Sequence, residues 1–196
     1  MKWYRPIPCD NTVMNPMVFE KSYIEDFGFT ESSFLTGIPV RNWEKHVLYK
    51  TDRETKGQTP DTVLQNVNML PIFSSKLVKT IQENRLIGFQ FLPVTIENSD
   101  GTFIEDYQIA NVINIVEAFN YEHSNYSYWP DDFPNESVRG KMRPARKYVL
   151  NKKALKNHNI IRLMEMNCAY FVSEKFKELF EANGFTGYSF VEIITV

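Results

Sequence analysis

Glycine is scarce in this chain, with eight in 196 residues. A loop that cradles phosphate with its backbone needs closely spaced glycines, and neither a P-loop nor Gly-x-Gly-x-x-Gly occurs. Cysteine is scarcer still. Cys9 and Cys168 are the two, and neither belongs to a Cys-x-x-Cys pair. That argues against a disulfide framework and for a reducing compartment with two buried thiols. The three histidines, His46, His123 and His158, are scattered. His-Glu-x-x-His, the zinc spacings of Cys and His, and Gly-x-Ser-x-Gly are all missing. No run of about 18 apolar residues exists, so no bilayer-spanning helix is expected. The opening Met1-Lys2-Trp3-Tyr4-Arg5-Pro6 lacks an apolar signal core, and a cytoplasmic location is the expectation. There is no excess of one charge either: 22 Lys and Arg face 24 Asp and Glu. The net charge of -2 gives the chain as a whole no electrostatic reason to bind nucleic acid or a membrane.

The expectation is a protein with no catalytic residues, no cofactor and no metal, and hence not an enzyme. Asp131-Asp132 reads as a carboxylate pair, but neighbouring acids in a loop are more often solvated turn residues. A pairing of Cys168 with His46 or His123 would need a thiol that its neighbours activate, and nothing local does so.

What the chain has in quantity is apolar and aromatic surface. Hydrophobic residues make up 43% and aromatic ones 14%, led by Phe (15) and Tyr (10), which fits a packed core and not a disordered chain. The length suits one sizeable domain. Within it runs a gapless echo at an offset of 99. Residues 73–94 read FSSKLVKTIQENRLIGFQFLPV and residues 172–193 read VSEKFKELFEANGFTGYSFVEI. Ser74 matches Ser173, Lys76 Lys175, Asn84 Asn183 and Gly88 Gly187. Leu77 falls with Phe176, Ile81 with Phe180, Phe89 with Tyr188 and Phe91 with Phe190. Each copy reads as an N-capping Ser, an apolar stripe at helical spacing, a stop at Asn, a tight turn at Gly and an alternating strand. The fold expected is α+β, with a mixed or antiparallel sheet and two equivalent helix–turn–strand units. Residues 1–196 read as a single domain, with a division into two lobes possible near 60–70.

Elsewhere, residues 43–50 read as a strand ended by the polar run 51–58. Asn98-Ser99-Asp100-Gly101 reads as a hairpin turn before β-type stretches over 102–119. Residues 121–137, with two prolines, read as a loop. Residues 147–163 read as a strand around Tyr148–Leu150, a short polar helix and a strand at Ile160–Leu163.

Charge is sorted along the chain. Leu86 to Val138 holds nine acids and no base, and Arg139 to Arg162 holds nine bases and no acid. The blocks can pair with each other, or one can steer a partner of opposite sign. Aromatics lie in the acidic block: Tyr121, Tyr126, Tyr128, Trp129 and Phe133 share a loop with Asp131, Asp132 and Glu136. Rings and acids together on a loop suit a basic protein partner, because Tyr and Trp make good interface anchors. Tyr126, Tyr128, Trp129, Asp131, Asp132, Phe133 and Glu136 are therefore the candidate partner-binding residues. The competing reading is that Trp129 and Phe133 pin the loop to the core.

The stretches FSSKLVKTIQENRLIGFQFLPVTI, NVINIVEAFNYEHS and NIIRLMEMNCAYFVSEKFKELFEANGFTGYSFVEI carry a family texture. Over residues 69–193 the chain resembles immunity protein family eleven of bacterial polymorphic toxin systems, first catalogued as a domain of unknown function. One position departs: Asn120 stands where the pattern has an acid. The resemblance implies an antitoxin that binds a cognate toxin protein and blocks it stoichiometrically, without catalysis. A small-ligand or regulatory binding module, or an enzyme with an unrecognised site, remains as the alternative. A deep pocket with convergent polar groups would favour either of these.

Overall fold

The computed structural model describes residues 1–9, 19–51, 60–63 and 70–196. The polar run 52–58 and residues 64–69, part of the stretch where a two-lobe division is expected, lie outside the described residues. The strands are β1 (Trp3–Pro8), β2 (Phe19–Ser22), β3 (His46–Thr51), β4 (Thr62–Val63), β5 (Ile72–Ser74), β6 (Phe89–Glu97), β7 (Phe103–Val112), β8 (Ile115–Val116), β9 (Val149–Leu150), β10 (Ile160–Leu163), β11 (Tyr170–Ser173) and β12 (Tyr188–Thr195). The helices are α1 (Ser75–Glu83) and α2 (Glu174–Ala182). They form an α+β fold with two mixed sheets. The first sheet has the order β2-β3-β6-β7-β5-β4 and the second β8-β10-β11-β1-β12-β9.

Both helices begin where a serine can satisfy free amides. Ser74 Oγ accepts from Leu77 N at 3.2 Å, and Ser173 Oγ accepts from Phe176 N at 3.4 Å. Asn84 and Asn183 close them. The apolar stripe of α1 (Leu77, Val78, Ile81) and that of α2 (Phe176, Leu179, Phe180) lie in one core with Phe73, Ala110 and Val112 of the first sheet and Tyr4, Val172 and Tyr188 of the second. Alternation places the opposite faces in two further cores. Leu92, Val94, Ile96, Tyr107 and Ile109 pack with Ile24, Phe34 and Leu48. Trp3, Ile161, Phe171 and Ile193 pack with Phe119, Tyr148 and Leu150. Period-2 alternation in β6 and β7 thus serves two cores, one on each side of the sheet.

β1 is central in the second sheet despite its two prolines. Cys9 N donates to Gly187 O at 3.0 Å, which fixes the phase of the antiparallel ladder. Ile7, Arg5 and Trp3 then bond β12, while Pro6 and Pro8 face the other side. There β11 reaches only Trp3 and Tyr4, so no ladder bond is lost to either proline.

The hairpin turn at 98–101 forms as the sequence predicts: Asn98 N donates to Thr102 O at 2.8 Å, and Gly101 has φ 82°. The short polar helix does not form. Residues 152–157 are successive turns ending at Asn157 with φ 65°, because a polar run with one buried residue, Leu155, has no apolar face to dock as a helix.

Candidate partner-binding site

Between β8 and β9 the chain leaves the second sheet as an arm. Its two limbs, 119–129 and 141–150, run antiparallel and touch at isolated bridges: Phe119 with Leu150, Asn125 with Lys147 and Tyr128 with Met142. Backbone bonds hold them, including Asn120 N to Val149 O (2.9 Å), Arg143 N to Ser127 O (2.8 Å) and Trp129 N to Lys141 O (2.9 Å). The segment predicted as a loop is therefore a tied arm. Pro130, Pro134 and Pro144 remove amide donors and keep the pairing from becoming continuous strands. Asn120 anchors its base. Its Oδ1 accepts from His123 N at 2.9 Å, which turns its Nδ2 toward Asn151 Oδ1 at 2.8 Å. An acid at that position could not donate this second bond.

The rings of the arm fall into two groups. Tyr121 and Tyr126 stand edge-on to the buried Phe119, with centroids 5.1 and 5.5 Å away, and Tyr128 extends the row from Tyr126 at 5.8 Å. Trp129 lies 4.3 Å from Phe133, and the Arg143 guanidinium covers the Trp129 ring at 4.4 Å. Trp129 belongs to none of the three cores, so it pins the arm to itself and not to the domain. Tyr126 alone of the seven candidates packs against a core. Tyr128 is 53% exposed. Asp131 and Asp132 sit exposed at the tip with no ion pair among the described residues. Glu136 is held by Arg139 at 3.0 Å, and Arg139 Nε also donates to Phe133 O at 2.7 Å. That is the one ion pair among the described residues that joins the acidic block to the basic block. The blocks adjoin through the backbone of the arm, and most of their charges stay open to solvent or to a partner.

Two features escaped sequence reasoning. Glu165 lies beside the tyrosine row, with both carboxylate oxygens buried and no side chain donating to them. Burial pushes its carboxyl above the usual range, and Glu117 adds to the effect. Desolvation and then the nearby Glu165 carboxylate push the Tyr121 phenol up as well. The second feature is basic. Arg143 and Arg146 line a cavity of about 270 Å³ with Asn125, Tyr126 and Ser127. The basic run was visible in the sequence, but its convergence on a cavity depends on how the limbs pair.

The other reactive side chains are dispersed. His46 stacks on Phe27 with centroids 4.0 Å apart, His123 Nδ1 lies 3.0 Å from Asn120 Oδ1, and His158 follows the turns over 152–157. Burial pushes the Cys168 thiol up, away from the reactive thiolate. Among the described residues, no three His, Cys, Asp or Glu side chains gather in a group fit to hold a metal ion. Among those residues, no helix is long and apolar enough to cross a membrane.

The model of the Immunity protein family (Imm11) matches residues 10–195. The chain belongs to that family. The match takes in both helices, the whole arm and every strand except β1, and so extends beyond the resembling stretch 69–193. No curated protein matches the chain.

Proposed function

We propose that this protein neutralises a cognate bacterial toxin in the cytoplasm by binding it stoichiometrically, with no catalysis of its own and no role for nucleic acid or a membrane. Beyond family membership, the observation that carries the proposal is the arm: exposed Tyr128 and half-buried Trp129 beside the unpaired Asp131 and Asp132. In this reading Trp129 and Tyr128 anchor the contact, with Tyr126 and Phe133 supporting them. Asp131, Asp132 and Glu136 face basic groups of the toxin. Acids at an interface rim speed association, and central rings slow dissociation. The test measures toxin-binding kinetics on folded variants. Removing the three acids together is expected to slow association and flatten its salt dependence. Trp129→Ala is expected to speed dissociation, at a cost of about 2 kcal/mol if it is a hot spot. Unchanged rates in both variants would remove the arm from the interface.

We also infer that residues 1–196 act as one domain built from two equivalent halves, β5-α1-β6 with β7 and β11-α2-β12 with β1. Several matches support this reading. β7 lies between β5 and β6, with Tyr107 opposite Ser74, as β1 lies between β11 and β12, with Trp3 opposite Ser173. Ser74 N donates to Asp61 O, and Ser173 N to Asn159 O, both at 2.8 Å. Each half also holds the other's turn. Asp61 Oδ2 accepts from Thr186 N at 3.0 Å, and Asn159 Oδ1 accepts from Ile87 N at 3.1 Å. Gly187, at φ 104°, lies against the Thr62 backbone, and Gly88, at φ 113°, lies against Ile160; a Cβ at either would collide. A core shared by both helices and both sheets favours one domain over two separate lobes.

A further inference from the structure

The two halves differ along one line: the outer edges of β6 and β12. The phase of each ladder identifies the outward groups. Ile113 N donates to Gly88 O at 2.9 Å, so Phe89, Phe91 and Pro93 turn their backbone polar groups away from β7. In the same way, Tyr188, Phe190 and Glu192 turn theirs away from β1. The β6 edge is closed. Pro93 has no amide to offer, and its carbonyl accepts from Trp43 Nε1 at 2.9 Å. Gln90 reaches out and clasps Val40, accepting from its N at 2.8 Å and donating to its O at 2.7 Å. The β12 edge is open. Its neighbour β9 pairs only with Ile194 and Thr195, and among the described residues nothing bonds the outward groups of Phe190 and Glu192. Glu192 stands where the other half has proline.

Beside this edge is a cavity of about 250 Å³ lined by Arg5, Arg146, Lys147, Tyr148, Val191 and Glu192. Val191 is 49% and Ile194 53% exposed, so the edge also presents apolar surface. Arg5 lies over the Tyr148 ring at 5.4 Å, and neither it nor Arg146 nor Lys147 has a carboxylate partner among the described residues. The one acid there, Glu192, is neutralised by Lys2 at 2.9 Å. Arg146 also lines the Arg143 cavity, so the basic surface continues from the edge to the base of the arm. Unpaired strand edges recruit strands, and proteins usually blunt them with proline or a covering segment, as this chain does on β6.

We propose that the outer edge of β12 receives an extended, acid-rich segment of the toxin as an added strand. The outward amide and carbonyl groups of Phe190 and Glu192 supply the main-chain bonds. Arg5, Arg146 and Lys147 select carboxylates on the face that Val191 shares with Arg5, and Ile194, on the opposite face, receives the alternate apolar side chains. The segment occupies the place that Val40–Trp43 fills on β6. This rests on the immunity reading for the identity of the partner, but the groove itself can be tested without the toxin.

The experiment uses the full chain with two kinds of probe: a candidate toxin from the neighbouring genes, in inactivated form, and two synthetic decapeptides, alternating Val-Glu and alternating Val-Lys. Amide hydrogen exchange is followed at Phe190 and Glu192. The toxin and the Val-Glu peptide are expected to slow exchange there at least tenfold, and the Val-Lys peptide to leave it unchanged. Glu192→Pro copies the proline of β6 and spares the β1 ladder. It is expected to weaken both probes at least tenfold while thermal unfolding stays put. Arg146→Glu with Lys147→Glu is expected to weaken the acidic peptide and abolish its salt dependence. Toxin binding with unprotected β12 amides would overturn the edge proposal and leave the immunity function standing. Failure of the toxin to bind, with the acidic peptide still protecting the edge, would overturn the immunity reading alone. Equal protection by both peptides would overturn the charge selection, and protection by neither probe would overturn the groove.

Discussion

The core shared by the two helices and the arm between β8 and β9 are built on opposite terms. In the shared core, rings stack on rings with little exposure, and the turns before β6 and β12 are held by hydrogen bonds from Ile87 N to Asn159 and from Thr186 N to Asp61. In the arm, rings stand half in solvent, prolines interrupt the pairing and most charges have no ion-pair partner among the described residues. The first arrangement minimises free energy within the chain. The second leaves interactions unmade, and it is the surface proposed here to meet a partner. The two outer edges repeat the lesson in smaller form, with the β6 edge closed and the β12 edge open.

Truncating a ring in each region tests the contrast most sharply. Phe176 is fully buried and contacts Phe73, Phe89, Phe180 and Phe190. Phe176→Ala is expected to cost about 4 kcal/mol in denaturant unfolding, the usual range for a buried ring. Trp129→Ala is expected to cost under about 1 kcal/mol, since its partners are Phe133 and an exposed Arg143. Equal losses would erase the contrast. Next come the glycines. Gly187→Ala meets both a positive φ and the Thr62 backbone and is expected to cost about 3 kcal/mol. Gly184→Ala, at φ 65° with open space around it, should cost about 1 kcal/mol. The caps follow. Ser74→Ala and Ser173→Ala are expected to cost about 1 kcal/mol each. Ser74 Oγ also donates to Asp61 Oδ1 at 2.8 Å, and a larger loss at Ser74 than at Ser173 would measure that added bond.

The smallest effect tests a single buried carboxyl beside the arm. The Glu165 carboxyl titrates above its unfolded value, so its ionised form opposes folding. That cost is absent at pH below about 4, grows as pH rises through the unfolded value, and is complete above the folded one. Glu165→Gln is therefore expected to raise the melting temperature slightly at pH 7 and to lose that advantage in acid. A gain that persists at pH 3 would point to packing instead of charge.

Local chemistry explains what could be read in advance. Ser74 and Ser173, Asn84 and Asn183, and Asp100-Gly101 act on their immediate neighbours, and the helices and the hairpin turn stand where those residues put them. β1 was hidden because Pro6 and Pro8 argue against a strand, and the partners that make them harmless lie about 180 positions away. The arm was hidden because isolated bridges leave no alternation to detect. Its rings and acids could be named, but their division into a row on Phe119 and a pair under Arg143 is tertiary. The basic run was plain as charge, whereas the open edge beside it comes from strand order.

The position of β1 also sets a schedule. The central strands of the first sheet, β5, β6 and β7, are all present once Val112 has been made. The second sheet must wait, because its central strand is Trp3–Pro8 and the strands on either side are Tyr170–Ser173 and Tyr188–Thr195. At about 5–20 residues per second, the first strand leaves the ribosome roughly ten seconds or more before β12. A chain cut off between Val112 and Tyr170 carries the strands of the first sheet but lacks β11 and β12, the strands that flank β1. The β12 edge belongs to that second sheet and the arm leaves from it, so the surfaces proposed to bind the toxin form only once β12 has been made.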